Sequence, residues 1–425
     1  MDRRLAAVLD EVDAAAASMV ADVAAMVRVP SVSGSDAENE AQQLFSDRMG
    51  GAGLEIDYWR IDLDELVGLA DFPGMEVPRR EAWGLVGRLA GNGDGPTLML
   101  NGHIDVVPIG DPEAWSVPPF AAVERDGRLF GRGTCDMKAG LVASLCAVEA
   151  VRSAGVPLRG DLLVASVQGE EDGGLGTFAL LQRGWTADAC VIAEPTDLDV
   201  IAANSGALTF RLRVHGRATH AARRAEGVSA IERFWPVWEA LQDLERRRHV
   251  VVDPLMERWP LAHPLSIGTV TAGDWASSVP DLLVAEGRLG VALDEPVADA
   301  RATLEDTIAA VNADDPWFHE HPVEVEWWGG QFASGRLAAG SDLAQRVRAA
   351  HQVTSATDAQ LPDVYGAPYG SDLRLLSGLG GIPTVQYGPG DVRLAHGPAE
   401  SVEQVDVIAT ARTLAALALD VCGTA

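Results

Sequence analysis

The sequence predicts an α/β protein with a smaller α+β domain inserted into it, and three observations carry that expectation. Between Gly84 and Ile201, apolar runs of strand length alternate with helical stretches, the rhythm of a sheet layered by helices. After Asp197 the texture changes to strict alternation in GALTFRLRVHG, which reads as an antiparallel strand with one solvated face. At 425 residues the chain also exceeds what one hydrophobic core normally serves.

The elements follow in order. The opening MDRRLAAVLDEVDAAAASMVADVAAMVRVP reads as an amphipathic helix, with Asp10, Glu11, Asp13 and Asp22 breaking any signal-peptide core. Strands are expected at WGLVGRL and TLMLNGHIDVV, a helix at MKAGLVASLCAVEAVRSAG, and further strands at DLLVASVQ and ACVIAEP. GALTFRLRVHG then begins the inserted domain, followed by a helix from about Val228 to Arg248, the strands PLSIGTVTAG and VPDLLVAEGRLGVAL, the helix DARATLEDTIAAVNA and the strand VEVEWW. That order, strand, helix, strand, strand, helix, strand, is the split βαβ pattern of a ferredoxin-like sandwich. The α/β texture resumes with the helix SDLAQRVRAAHQVT and the strand GGIPTVQYG, and a helix from about Val402 to Val421 ends the chain. The expected domains are therefore 1–200 and 329–425 around an insert at 201–328, with the hinge at Gly329 to Gly340.

Composition narrows the partners. A net charge of −29, from 62 acidic and 33 basic residues, argues against nucleic acid and against anionic membrane surfaces. No uninterrupted apolar run reaches the roughly 20 residues that span a bilayer. Cys135, Cys146, Cys190 and Cys422 are scattered without CxxC spacing, as expected of reduced thiols in a cytoplasmic protein.

Five segments hold the candidate chemistry. In LNGHIDVVP, His103 and Asp105 are two apart on a predicted strand and share a face, so the acid can orient the imidazole as a metal ligand. In GRGTCDMKAG, Asp136 lies in a glycine-flanked turn before a helix, with two oxygens able to bridge two cations. VASVQGEEDGG places Glu170 and Glu171 at a strand end, where neighbours point opposite ways, so that one can bind metal and the other can face a water and exchange its proton. In VIAEPT, Glu194 follows a buried strand and Pro195 keeps it extended. His396 lies in the loop of YGPGDVRLAHGPAESV. Each segment alone fits an ordinary cap, acidic turn or loop histidine. Together they supply nitrogen and oxygen ligands and no thiolates, a set that suits zinc, cobalt or manganese in a hydrolytic site.

At these residues the chain resembles the di-zinc metallopeptidase and deacylase family that contains acetylornithine deacetylase, succinyl-diaminopimelate desuccinylase, aminoacylase and glutamate carboxypeptidase. The resemblance rests on GHIDVVP, WSVPPF, GRLFGRGTCDMKAG, QGEEDGG, AEPT, GRATHA, GSDLRLL and GGIPTVQYGPGDVRLAHGPAE, and covers nearly the whole chain. It implies a zinc-exopeptidase-like catalytic domain, with a mixed sheet between helices, and an inserted lid that dimerises. It further implies two divalent metals, with His103 and Glu194 on one, Glu171 and His396 on the other, and Asp136 bridging both. Glu170 would be the general base, a cis peptide would follow Asp136, and His220 of GRATHA would reach across a dimer to the oxyanion.

The same resemblance implies a deacylase acting on a small N-acylated amine or amino acid. A dipeptidase or carboxypeptidase is the enzymatic alternative, and a non-catalytic dimeric metal- or ligand-binding protein is the alternative of another class. Substrate contacts are expected from Arg288 and from Gly370 and Ser371 of GSDLRLL. One departure bears on them: Ser277 or Ser278 stands where many relatives have Asn before VxP, and Arg288 is displaced from the place of their substrate-binding arginine. Arg223 and Arg224 are further candidates for an anionic group.

Overall fold

The computed structural model describes residues 2–355 and 360–424. The chain forms two compact units, one of Met1–Ala203, Arg336–Tyr365 and Asp372–Ala425, the other of Asn204–Gly335 and Gly366–Ser371. The boundaries expected at 201 and 328 fall inside the strands Val200–Asn204 and Glu324–Phe332, which run unbroken past them.

The first unit is built on a mixed sheet of nine strands, six of which run in the order Glu55–Arg60, Trp83–Leu89, Leu162–Val167, Leu98–His103, Ala189–Ile192 and Thr384–Gln386. The first three pair antiparallel and the last four pair parallel. Every residue of Leu98–His103, Leu162–Val167 and Ala189–Ile192 is buried, as expected of near-continuous apolar strands covered on both faces. One face packs Leu98, Leu100, Leu162, Val164 and Val191 against the helices Ala139–Ser153 and Gln404–Cys422. The other packs Met99, Leu163, Ala165, Cys190 and Ile192 against Leu180 of the helix Leu175–Gln182.

Two local departures from the sequence reading matter. The amino-terminal helix is two helices, Arg3–Ala14 and Ala16–Val27, that meet at Ala15, which stays right-handed and keeps its hydrogen bond to the Glu11 carbonyl. A small antiparallel sheet of Val123–Arg125, Arg128–Phe130 and Ser401–Glu403 also forms. Its strands of three residues are too short to show a period.

The second unit is a four-stranded antiparallel sheet in the order Leu265–Ala272, Leu282–Val291, Gly206–His215 and Glu324–Phe332. The helices Ala230–Arg248 and Val297–Asp314 supply the rest of its core. In Gly206–His215 every second residue is buried, and Leu208, Phe210, Leu212 and Val214 meet Val237, Leu241 and Leu244 of one helix and Leu304 and Ile308 of the other. This is the βαββαβ order read from the sequence. Thr219–His220 adds a two-residue ribbon with Ser278–Val279, in which His220 lies opposite Ser278.

Candidate metal centre

Three parallel neighbours in the first unit, Leu162–Val167, Leu98–His103 and Ala189–Ile192, end at the same sheet edge, where open α/β sheets place their chemistry. His103 is the last residue of its strand, Glu170 and Glu171 follow Val167 by one turn, and Glu194 lies two residues past Ile192. Gly140 lets the helix behind them come close: a Cβ there would lie 1.8 Å from the Ala193 carbonyl oxygen. The peptide between Asp136 and Met137 is cis.

His103 is buried, and its Nδ1 lies 2.9 Å from the main-chain carbonyl of Asp105, which can only accept. Nε2, freed to act as a ligand, lies 3.0 Å from Asp136 Oδ1 and 3.9 Å from Glu194 Oε2. His396 sits in a left-handed conformation with φ 59° and a half-exposed side chain. Its Nε2 lies 3.4 Å from Asp136 Oδ2 and 3.1 Å from Glu171 Oε2. Asp136 thus offers one oxygen to each imidazole. Ligand atoms of His103, Asp136 and Glu171 lie within 4.8 Å of one another, as do those of His103, Glu170 and Glu194.

Asp105 accepts from the imidazole with its backbone carbonyl, and its carboxylate, the group the sequence suggested, lies 3.6 Å from Nδ1. The carboxylate is turned to the QGEED turn, accepting the N–H groups of Glu170 and Glu171 at 3.3 Å each and the hydroxyl of Ser33 at 2.9 Å. Asp172 points away from the cluster, accepting from Val77 N at 2.9 Å and from Arg79 Nη1 at 2.8 Å, and Arg79 also binds Glu38 at 3.0 Å. Sequence reasoning missed Ser33 and Arg79, which lie in irregular segments, and Glu38, a charged residue on the buried face of the helix Asp36–Gly51.

Charge is concentrated here. Burial, reinforced by the neighbouring Glu194 charge, holds Glu170 well above the usual carboxylate range, and burial with the Asp136 charge does the same to Glu194 and raises Glu171. The carboxylates of Asp136 and Glu171 hold the His396 imidazole up at about 11. Burial opposes the charge on His103, but Asp136, Glu194 and Asp105 outweigh it and hold that imidazole well above its ordinary value. Lys138, the chain's only lysine, is buried and donates to the carbonyls of Met26 at 3.0 Å and Val29 at 2.9 Å. It adds no ligand.

The residues fit divalent cations. Two imidazoles and four carboxylates converge, and Glu171 Oε1 is buried with no hydrogen-bond partner among the described residues. Buried acids so placed call for positive charge among them.

The other expected residues belong to the second unit. His220 is exposed, and its Nδ1 accepts from Ala222 N at 3.1 Å. Arg288 is largely buried and donates to the carbonyl of Pro368 at 3.1 Å, in the segment that carries Gly370 and Ser371. Burial lowers the pKa of its guanidinium. A Cβ on Gly370 would lie 2.8 Å from the Phe332 ring, and Ser371 Oγ donates to Asn204 Oδ1 at 3.1 Å. Arg223 and Arg224 are exposed and paired with Glu226 and Glu232.

Residues 99–420 match the model of peptidase family M20/M25/M40. The chain belongs to that family. This M20-family hydrolase is 29% identical over 383 residues to the N-formyl-4-amino-5-aminomethyl-2-methylpyrimidine deformylase of Bacillus subtilis, covering 83% of each chain. It is 38% identical over 160 residues to the succinyl-diaminopimelate desuccinylase of Dechloromonas aromatica, covering 35% of this chain and 42% of that one. Its fold is similar to that of the di-peptidase Dug1p from Saccharomyces cerevisiae, with a TM-score of 0.77 at 16% identity over 98% of both chains.

Proposed function

We propose that this M20-family hydrolase is a two-metal amidohydrolase that cleaves the amide of an N-acylated amino acid or related small N-acylated amine. The carrying observation is the convergence of His103, Asp136, Glu171, Glu194 and His396 on one sheet edge beside Glu170, whose main chain Asp105 fixes. His103 and Glu194 would hold one cation, Glu171 and His396 the other, and Asp136 would lend an oxygen to each. Two divalent cations, zinc in this reading with cobalt or manganese as substitutes, supply the charge that polarises the amide carbonyl and acidifies the attacking water.

The protein's own groups do the rest. Glu170 takes a proton from the water oxygen and delivers it to the departing nitrogen. Its raised affinity for protons suits both directions of that exchange. His220 donates a hydrogen bond to the carbonyl oxygen as negative charge develops there. Arg288, Gly370 and Ser371 contact the substrate. Arg288 Nε is buried without a hydrogen-bond partner among the described residues, which favours a substrate bearing an anionic group.

The first unit is assigned the catalytic role and the second the roles of lid and dimerisation domain. The strand Leu265–Ala272 is an open edge of its sheet, and Val270, Ile231, Trp235 and Trp275 are exposed in the same unit. An unpaired edge with apolar neighbours suits pairing with a second copy, so the chain is assigned as a homodimer. No helix among the described residues is long and apolar enough to cross a membrane, and the four cysteines are free and buried, which supports a reducing, cytoplasmic location.

A screen of N-formyl, N-acetyl, N-succinyl and N-carbamoyl amines together with dipeptides, with zinc, cobalt and manganese each supplied, tests the reading. Release of free amine from an N-acyl compound is expected. Hydrolysis of dipeptides alone would make the chain a dipeptidase, and no hydrolysis at all would leave a binding protein.

A further inference from the structure

Glu400 is buried four residues beyond His396, and both its carboxylate oxygens and its main-chain carbonyl are directed at the turn that holds Asp136. Oε1 accepts the main-chain N–H groups of Gly133 at 2.8 Å, Cys135 at 3.2 Å and Asp136 at 3.2 Å. Oε2 accepts from Arg132 Nη1, whose side chain is itself buried and reaches Pro108 O at 3.2 Å with Nη2. The Glu400 carbonyl accepts the Gly131 N–H at 3.0 Å. Immediately afterwards Ser401–Glu403 pairs in register with Arg128–Phe130.

These bonds make the His396 loop and the Asp136 turn a single piece, although 260 residues of sequence separate the two side chains. His396 needs such a support. It is half exposed and sits in a left-handed conformation, where a non-glycine residue is held by its surroundings. His103, by contrast, is fixed by its own strand and by the Asp105 carbonyl.

We propose that Glu400, with Arg132, is a positioning residue that assembles the half of the metal centre formed by Asp136, Glu171 and His396. The proposal rests on the two-metal reading. A brace that merely held the fold would, when cut, weaken both metal positions equally. Because Asp136 is shared, a positioning residue for this half weakens both positions but the Glu171–His396 position more, since His103 keeps the support of its own strand and of the Asp105 carbonyl. Groups that orient ligands from behind typically change metal affinity about 10- to 100-fold when removed.

The test is titration of the metal-free full-length protein with Co2+, followed by visible absorbance and equilibrium dialysis. The unaltered chain should bind two cations. Glu400→Ala should keep the first and bind the second about 10- to 100-fold more weakly. Glu400→Gln keeps an oxygen acceptor for the three N–H groups but turns an amide N–H toward Arg132, losing the charge and the acceptor there, so it should fall between the two, as should Arg132→Met. Glu400→Gln, which fills the same volume, keeps the question answerable if the alanine variant does not fold. Equal loss at both positions, or two unchanged affinities in the folded variants, would overturn the assignment of Glu400. Fewer than two cations on the unaltered chain would overturn the two-metal reading, and this inference with it.

Discussion

Asp105 accepts the main-chain N–H of Glu170 at 3.3 Å, so the strand end that carries one metal-ligand candidate also fixes the group assigned as the base. Asp105→Asn leaves the His103 bond to the main-chain carbonyl intact and takes one acceptor from the Glu170–Glu171 turn. Small misplacements of a reacting group cost on the order of 100-fold in rate. We expect kcat to fall by about that factor with metal content unchanged. Loss of metal with unchanged turnover per bound metal would return the carboxylate to the role of orienting His103.

Behind the same turn, Arg79 joins Glu38 and Asp172 with side chains only 1%, 2% and 5% exposed respectively. Arg79→Met removes one member of a buried charge network and strands two carboxylates, a change that costs about 3–5 kcal/mol. Denaturant unfolding of the metal-free protein measures it. A loss under about 1 kcal/mol, the range of exposed pairs, would mean that water reaches these acids.

The pH dependence of metal binding follows from the imidazoles. His396 is held up at about 11 in the metal-free chain, and His103 is also raised, so both carry protons at neutral pH. A cation must displace them, because only the neutral ring ligates. Affinity should therefore rise with pH throughout the range below about 11, and calorimetry in buffers of different ionisation enthalpy at pH 7 should register net proton release on cation binding, to which the raised carboxylates Glu171 and Glu194 add. Binding without proton release at pH 7 would contradict the charge state assigned to the cluster.

Dimerisation through the second unit is tested on its edge strand. Val270→Lys places a charge where a partner strand would pair, a substitution that natural sheet edges use against association. Light scattering should show a dimer becoming a monomer, with kcat reduced more than KM if His220 acts from the partner copy. A fully active monomeric variant would remove the partner from the mechanism.

Much of this was legible in the sequence, for identifiable reasons. Gly206–His215 shows a period of two because one face of its sheet is covered by helices, and Ala189–Ile192 is continuously apolar because both faces are covered. His103, Glu170, Glu171 and Glu194 stand where such strands end, so the local pattern also points to them. Relationships across long stretches of chain leave no such pattern. The bonds from Glu400 to Gly133 and from Asp105 to Glu170 join segments whose meeting is decided by sheet order. Arg79 lies in an irregular segment and is explained only by the buried acids it meets. Asp105 was found as the partner of His103, whereas its bonds to the Glu170–Glu171 turn were not, because spacing on a strand shows which face a side chain takes and not which N–H lies beyond it.

The central claim is that Glu170 moves the proton in a metal-supported amide hydrolysis. Its most direct test is the turnover of the metal-loaded Glu170→Gln protein on the best N-acyl substrate, compared with the unaltered chain at equal metal content. Loss of about 10²- to 10⁴-fold in kcat with two cations still bound is predicted. Turnover by the variant at the unaltered rate would contradict it.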